Sequence, residues 1–320
     1  MTTPQIIPIE SREQWLTERA KDVTSTEVAA LYGLSPYMSE FELFHHKREG
    51  TIVSIEPNER MRWGTRLEAA IAEGAAEDQG WDIGKLNVYM RDIDARMGSS
   101  FDFEIKSSSD GPGILEIKNV DRLQYAKTWI DDGEGNIEAP EHIELQVQHQ
   151  MEISGYAWCA IVALVGGNEQ KVVYRNRDKD IGKDIRRRID EFWARIAANN
   201  APAADYTQDA EFIIKQLRGT ADEDLVAHAD KELEDLIKQY EFVRKEGSDI
   251  EKIKEQYKAQ ILNKIGTASK VLTSFGTLSC NMVKGSQGKL VTQDMVGTYV
   301  GARSGYRGFR FNEKKEKSNG

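Results

Sequence analysis

The period of the apolar positions changes several times along the chain, and each change marks an element. In RMRWGTRLEAAIAEGAAEDQGW, Trp63, Leu67 and Ile71 recur every four residues, the spacing of one helix face, and Glu68 stands beside that stripe. Around 85–91, 95–105 and 113–119 the pattern reads as strands, and the turn-forming run SSSDGPG joins the last two. APEHIELQVQHQMEISGY puts Pro140 near a helix start and Gly155 past its end, so a helix is expected over about 141–154. WCAIVALVGG is short and continuously apolar, as expected of a strand covered on both faces, and KVVYR is its expected neighbour. From 178, Ile181, Ile185, Ile189, Phe192 and Ile196 share one helical face, with Arg186, Arg187 and Arg188 expected as a solvated flank.

The first fifty residues predict three short helices. Ser11 with Gln14 opens one, Thr24 or Ser25 opens another that Gly33 closes, and Ser39 with Glu42 opens the third. AANNAPAADYTQDA, near 197–210, is the expected boundary between a domain over 1–200 and an extension over 211–320. Residues 222–246 and 249–265 both have helical periodicity. Gly247, Ser248 and Glu251 supply a break and a capping box between them, which predicts an antiparallel helical hairpin. A few short strands are expected after it.

Composition narrows the class. The chain has 320 residues, 39% of them hydrophobic, enough for a core without staples. No apolar run approaches the roughly 18 residues of a membrane span, and MTTPQIIPIESREQW lacks a signal-peptide pattern, so a cytoplasmic protein is expected. Cys159 and Cys280 are too few for a zinc site, a disulfide framework or an iron–sulfur cluster. None of His45, His46, His142, His149 and His228 has metal-ligand spacing, and each is expected in packing or at the surface. Net charge is −10, which on its face argues against nucleic acid. Residues 266–320, however, carry 9 basic and 3 acidic side chains, and carboxylates gathered on metal ions are compatible with an acidic nuclease.

The candidate chemistry lies in SSFDFEIKSSSDGPGILEIKN. On a strand, Glu116 and Lys118 point to the same side. Asp102, on a strand that SSSDGPG could pair with theirs, can reach that side too. Two carboxylates are costly to bury unless a cation compensates them, and a hard divalent ion such as Mg²⁺ or Mn²⁺ suits oxygen ligands. E-x-K alone is a weak signal, since it recurs at Glu169–Lys171 and Glu313–Lys315. A helix carrying Glu68 before these strands and one carrying Gln146 after them give an order that resembles the PD-(D/E)XK nuclease core.

VTSTE, RWGTRLE, GSSFDF, GILEIKN and LQVQHQMEISGY together resemble the YqaJ-like viral recombinase family, the phage lambda exonuclease family, over roughly residues 10–195. The resemblance implies an α/β fold with a restriction-endonuclease-like core, a central mixed sheet flanked by helices, with the helical hairpin and short strands appended. It implies a metal-dependent exonuclease that degrades the 5′ strand of duplex DNA from an end, works as a homotrimer, and feeds a phage-type single-strand annealing protein. Carried onto this chain, Asp102, Glu116 and the Ile117 carbonyl would hold Mg²⁺, with Glu68 serving a second ion or its water. Lys118 would orient and acidify the attacking water, and Gln146 would hold Lys118. Ser100 and Thr26 match phosphate-binding hydroxyls, and Arg19 matches the basic group at the 5′ phosphate. The pattern departs at Phe101, where a proline often stands, and at Ile143, where some relatives have tyrosine.

Two other readings compete: another PD-(D/E)XK endonuclease, or a non-catalytic adaptor for DNA ends or an annealing protein. In the tail, Arg303, Arg307 and Arg310 with Tyr306 or Phe309 are candidates for DNA contact or for partner binding.

Overall fold

The computed structural model describes residues 3–53, 58–214, 230–283, 306–307 and 310–313. The chain runs β1 (Gln5–Pro8), α1 (Arg12–Ala20), β2 (Val23–Thr24), a 3₁₀ helix (Val28–Tyr32), α2 (Glu40–Glu49) and α3 (Glu59–Gln79). There follow β3 (Asp82–Lys85), β4 (Val88–Asp92), β5 (Met97–Ser100), β6 (Phe103–Ser107), β7 (Gly113–Val120) and α4 (Arg122–Thr128). A small hairpin, β8 (Ile130–Asp131) and β9 (Ile137–Glu138), leads to α5 (Glu141–Ser154), β10 (Trp158–Val165), β11 (Glu169–Asn176), α6 (Lys179–Ala197) and the short α7 (Ala210–Phe212).

The main sheet has the order β11-β10-β7-β6-β3 and is mixed: β10 runs parallel to β7, and the other neighbours are antiparallel. A second sheet, β1-β4-β5-β2, lies within the same unit, Met1–Ala221. Alternation along β7 decides the layers. Leu115 and Ile117 join Ile71, Ala72 and Ala75 of α3 in one cluster. Ile114 instead joins Val147 and Met151 of α5 and Ile185, Ile189 and Phe192 of α6. Each such side chain contributes about 1.5–3 kcal/mol on full burial, which is why β10 is apolar throughout and β7 is apolar at Ile114, Leu115 and Ile117.

Several expectations hold to the residue. Ser11 accepts from the Gln14 N–H and Ser39 from the Glu42 N–H at the starts of α1 and α2. Pro140 precedes α5, and Gly155 ends it in the left-handed region at φ 83°. Others need correction. The segment 95–105 is two strands: β5 belongs to one sheet and β6 to the other, and the chain changes sheets at Phe101–Asp102. Near Thr24 the helix is a 3₁₀ turn starting at Val28, so Thr26 precedes it instead of standing in its first turn. Of the three arginines of α6 only Arg187 is the exposed flank that was expected. Arg186 bonds buried Glu152 and Asp92, while Arg188 lies 4.0 Å from the Tyr32 ring centroid and donates to the Leu31 carbonyl. Arg187 pairs with Asp184 and Glu191 on its own helix.

The unit Asp222–Gly320 contains α8 (Lys231–Ile265), β12 (Lys270–Leu272), β13 (Gly276–Ser279), β14 (Met282–Val283), β15 (Tyr306–Arg307) and β16 (Arg310–Glu313). α8 is one helix of 35 residues, so the expected hairpin is not formed. A glycine inside a helix costs only about 1 kcal/mol, and the pairs Asp249–Lys252 and Glu251–Lys254 support the turns just after Gly247. The short strands form as β12-β13-β16 and β14-β15. Arg303 and Phe309 lie outside the described residues.

Candidate active site

β7 turns Glu116 and Lys118 toward α5, on the side of Ile114, because successive strand residues alternate. Glu116 is only 3% exposed, yet its carboxylate is well supplied with donors. Lys118 Nζ and Gln146 Nε2 each donate to Oε1 at 2.6 Å, and Gln150 Nε2 donates to Oε2 at 2.8 Å. Lys118 Nζ also donates to Gln146 Oε1 at 3.1 Å. Gln146 and Gln150 are one helical turn apart, so α5 presents both amides on one face. Burial lowers the pKa of Lys118, but the charges of Glu116 and Asp102 more than offset this, and its pKa rises.

Asp102 comes from the corner between β5 and β6, and its Oδ2 accepts the Ile117 N–H at 2.9 Å. Burial first, and then the charge of Glu116, push its carboxyl well above the usual range. A carboxyl whose ionisation is opposed by burial and by a neighbouring carboxylate is one that a cation would relieve. Glu68 arrives on α3, the helix that packs on the Leu115–Ile117 side of the sheet. Its charge acts on Asp102, but its Oε1 accepts from Lys85 Nζ at 3.1 Å. Among the described residues no group of three or more His, Cys, Asp or Glu side chains is arranged to hold a metal ion. Lys118 and Lys85 supply the positive charge beside Glu116 and Glu68. The chemistry of the site nonetheless fits a hard divalent ion. Its acids are mutually repelling, and the buried Gln150 Oε1 beside Glu116 has no hydrogen-bond partner.

Arg19, Thr26 and Ser100 belong to a second cluster joined to the first. Arg19 donates to Thr26 Oγ1 at 2.8 Å and lies 4.5 Å from the Trp15 ring centroid. Trp15 Nε1 donates to Ser100 Oγ at 2.8 Å. Gln150 Nε2 touches the Ser100 carbonyl at 3.2 Å as well as Glu116, which links the hydroxyl–guanidinium cluster to the carboxylates. Behind it, Lys47 Nζ bonds the Arg19 carbonyl and Glu27 Oε2, both at 2.9 Å. Burial raises the Glu27 carboxyl, but Lys47 and Arg19 hold it below the ordinary range.

Sequence reasoning did not single out Trp15, Glu27, Lys47 or Gln150. Gln150 could have been found, since it stands four residues after Gln146. No spacing announces Lys47, which meets Arg19 and Glu27 only through the fold.

Residues 14–157 match the model of the YqaJ-like viral recombinase domain. The uncharacterized protein YqaJ of Bacillus subtilis (strain 168) is 25% identical over 264 residues, spanning 81% of this chain and 79% of that protein. Among solved structures, the alkaline exonuclease LHK-Exo of Laribacter hongkongensis is 20% identical, with 65% of this chain and 100% of that one covered and a TM-score of 0.46. The phage related exonuclease from Haemophilus somnus 129PT is 11% identical over 56% of this chain and 96% of its own, with a TM-score of 0.37. Motifs and family model agree: residues 14–157 are similar to the YqaJ-like viral recombinase domain.

Proposed function

We propose that this chain is an Mg²⁺-dependent exonuclease that degrades one strand of linear duplex DNA 5′ to 3′ from an end, leaving 3′ single-stranded tails for phage-type recombination by strand annealing. The observation that carries the reading is the convergence of Glu116 and Lys118 on Gln146, with Asp102 near enough to feel both charges. The match to a viral recombinase domain supports the recombination setting.

Asp102, Glu116, Glu68 and the Ile117 carbonyl would hold the cation, which supplies Lewis-acid stabilisation of the charge that builds on the phosphate. Lys118 holds and orients the attacking water, its ammonium fixed by Gln146. Gln146 and Gln150 hold Glu116 in place by donating to both of its oxygens. Arg19, Thr26 and Ser100 take the 5′ phosphate, with Trp15 setting the angle of the guanidinium and of the Ser100 hydroxyl. The catalytic domain in this reading is 1–200, and 211–320 is an extension. The assembly is a homotrimer working in the cytoplasm with a single-strand annealing protein. No helix among the described residues is long and apolar enough to cross a membrane.

Purified protein with Mg²⁺ should release mononucleotides from 5′-phosphorylated linear duplex and leave covalently closed circles intact. Nicking of circles would reassign it as an endonuclease. Absence of cleavage with every divalent ion would leave only a DNA-end adaptor, and full activity in Asp102→Asn would remove the carboxylate site from the reaction.

A further inference from the structure

One exposed aromatic stands at this site without a role. Tyr37 is 79% exposed, although the turn that carries it is firmly held. Ser35 Oγ accepts the N–H groups of Tyr37 and Met38 at 3.2 and 3.3 Å, Met38 packs on the main core, and Ser39 Oγ bonds Asp209. The tyrosine ring meets His142 edge to face, with centroids 5.7 Å apart and planes at 86°. His142 lies one turn before Gln146 on α5, so the line His142, Gln146, Gln150 runs along the helix from this aromatic pair to Glu116. Both rings are close enough to Lys118 for charge to be felt between them.

We propose that Tyr37 and His142 form a nucleobase-stacking subsite at the mouth of the carboxylate site, where the base of the 5′-terminal nucleotide is seated while its 3′ phosphodiester is cut. The inference rests on the exonuclease reading and adds the group that holds the base. In this seating, with the scissile phosphate at Lys118 and the 5′ phosphate at Arg19, the base lies against Tyr37 and His142, the aromatic pair one helical turn from Gln146. An aromatic fixed by a turn loses little entropy on stacking, and a π face accepts every base, as a non-selective exonuclease requires.

The test uses the full chain and a linear duplex whose 5′-terminal base is 2-aminopurine, first in EDTA so that only binding is read. Wild type should quench the fluorophore on binding, Tyr37→Ala should lose most of the quench, and Tyr37→Phe should restore it. With Mg²⁺ and ordinary duplex, Tyr37→Ala should raise KM about 5- to 150-fold, the equivalent of the ~1–3 kcal/mol that one stacked base is worth. With an abasic 5′-terminal nucleotide, wild type and Tyr37→Ala should have equal KM, which a merely structural role of Tyr37 would not produce. His142→Ala should lower the quench in the same direction. Quenching that survives in Tyr37→Ala, absent quenching in wild type, or an equal penalty on the abasic end would each overturn the subsite. A wild type that cuts nothing while the quench depends on Tyr37 would remove the exonuclease and leave the base-binding site.

Discussion

Lys118→Met tests whether the ammonium is what makes a buried Glu116 tolerable. The substitution keeps most of the aliphatic stem and removes the charge that bonds Glu116 at 2.6 Å and Gln146 at 3.1 Å. Stripping one partner from a buried ion pair costs about 3–5 kcal/mol. Here Glu116 keeps the donors of Gln146 and Gln150, and the Lys118 side chain is 23% exposed, so a loss of about 2–3 kcal/mol is expected. In a unit of this size that lowers the melting temperature by about 4–12 °C. Glu116→Gln/Lys118→Met should recover about 1–2 kcal/mol relative to Lys118→Met, because a neutral amide no longer needs the ammonium. The folded pKa of Lys118 is raised, so its contribution is complete below the unfolded value of about 10.4 and is lost only as pH rises beyond it. The wild-type advantage should therefore be flat from pH 6 to 9. Urea denaturation in EDTA, followed by tryptophan fluorescence, measures all three proteins. A Lys118→Met unfolding free energy within about 0.5 kcal/mol of wild type, with no recovery in the double variant, would refute the argument. Single-turnover cleavage by Lys118→Met should fall about 10²–10⁴-fold if the lysine handles the attacking water.

Three further outcomes follow from the same geometry. Arg19→Ala should lower the preference for 5′-phosphorylated over 5′-hydroxyl duplex ends by about 10- to 100-fold, the range of a charge-assisted bond, in competition cleavage assays. Glu152→Gln should cost about 2–3 kcal/mol at pH 7, because Arg177 and Arg186 both bond that buried carboxylate. Burial raises the Glu152 carboxyl, but Arg186 and Arg177 bring it below its ordinary value, so this stability is present above about pH 4.3 and the gap between variant and wild type closes as pH falls through lower values. Gly98→Ala should cost about 1–3 kcal/mol in thermal melts, since a Cβ there would overlap the ring of fully buried Tyr89, which holds Asp22 at 3.0 Å.

Much of the frame was legible because it depends on near neighbours in the chain. The span of α5 follows from Pro140 and Gly155, and the helix starts at Ser11 and Ser39 follow from side chains that reach amides three residues on. The common side of Glu116 and Lys118 follows from strand alternation. α8 shows the limit of local signals: Gly247, Ser248 and Glu251 look like a break, but their propensities amount to about 1 kcal/mol and the helix continues through them. The arginines of α6 show another, because whether Arg186 meets water or Glu152 depends on which side of the helix the core takes.

Most of the element order, the apolar faces and the resemblance to a family were legible in the chain alone, since these rest on periodicity, capping and short motifs within reach of a few residues. Only tertiary structure decided that Asp102 sits at a corner where the chain changes sheets, that Gln150 joins Glu116 to Ser100, and that Tyr37 stands over His142. Those contacts join residues 34 to 105 positions apart in the chain. Packing of sheet against helix brings such groups together, and no local rule of spacing encodes it.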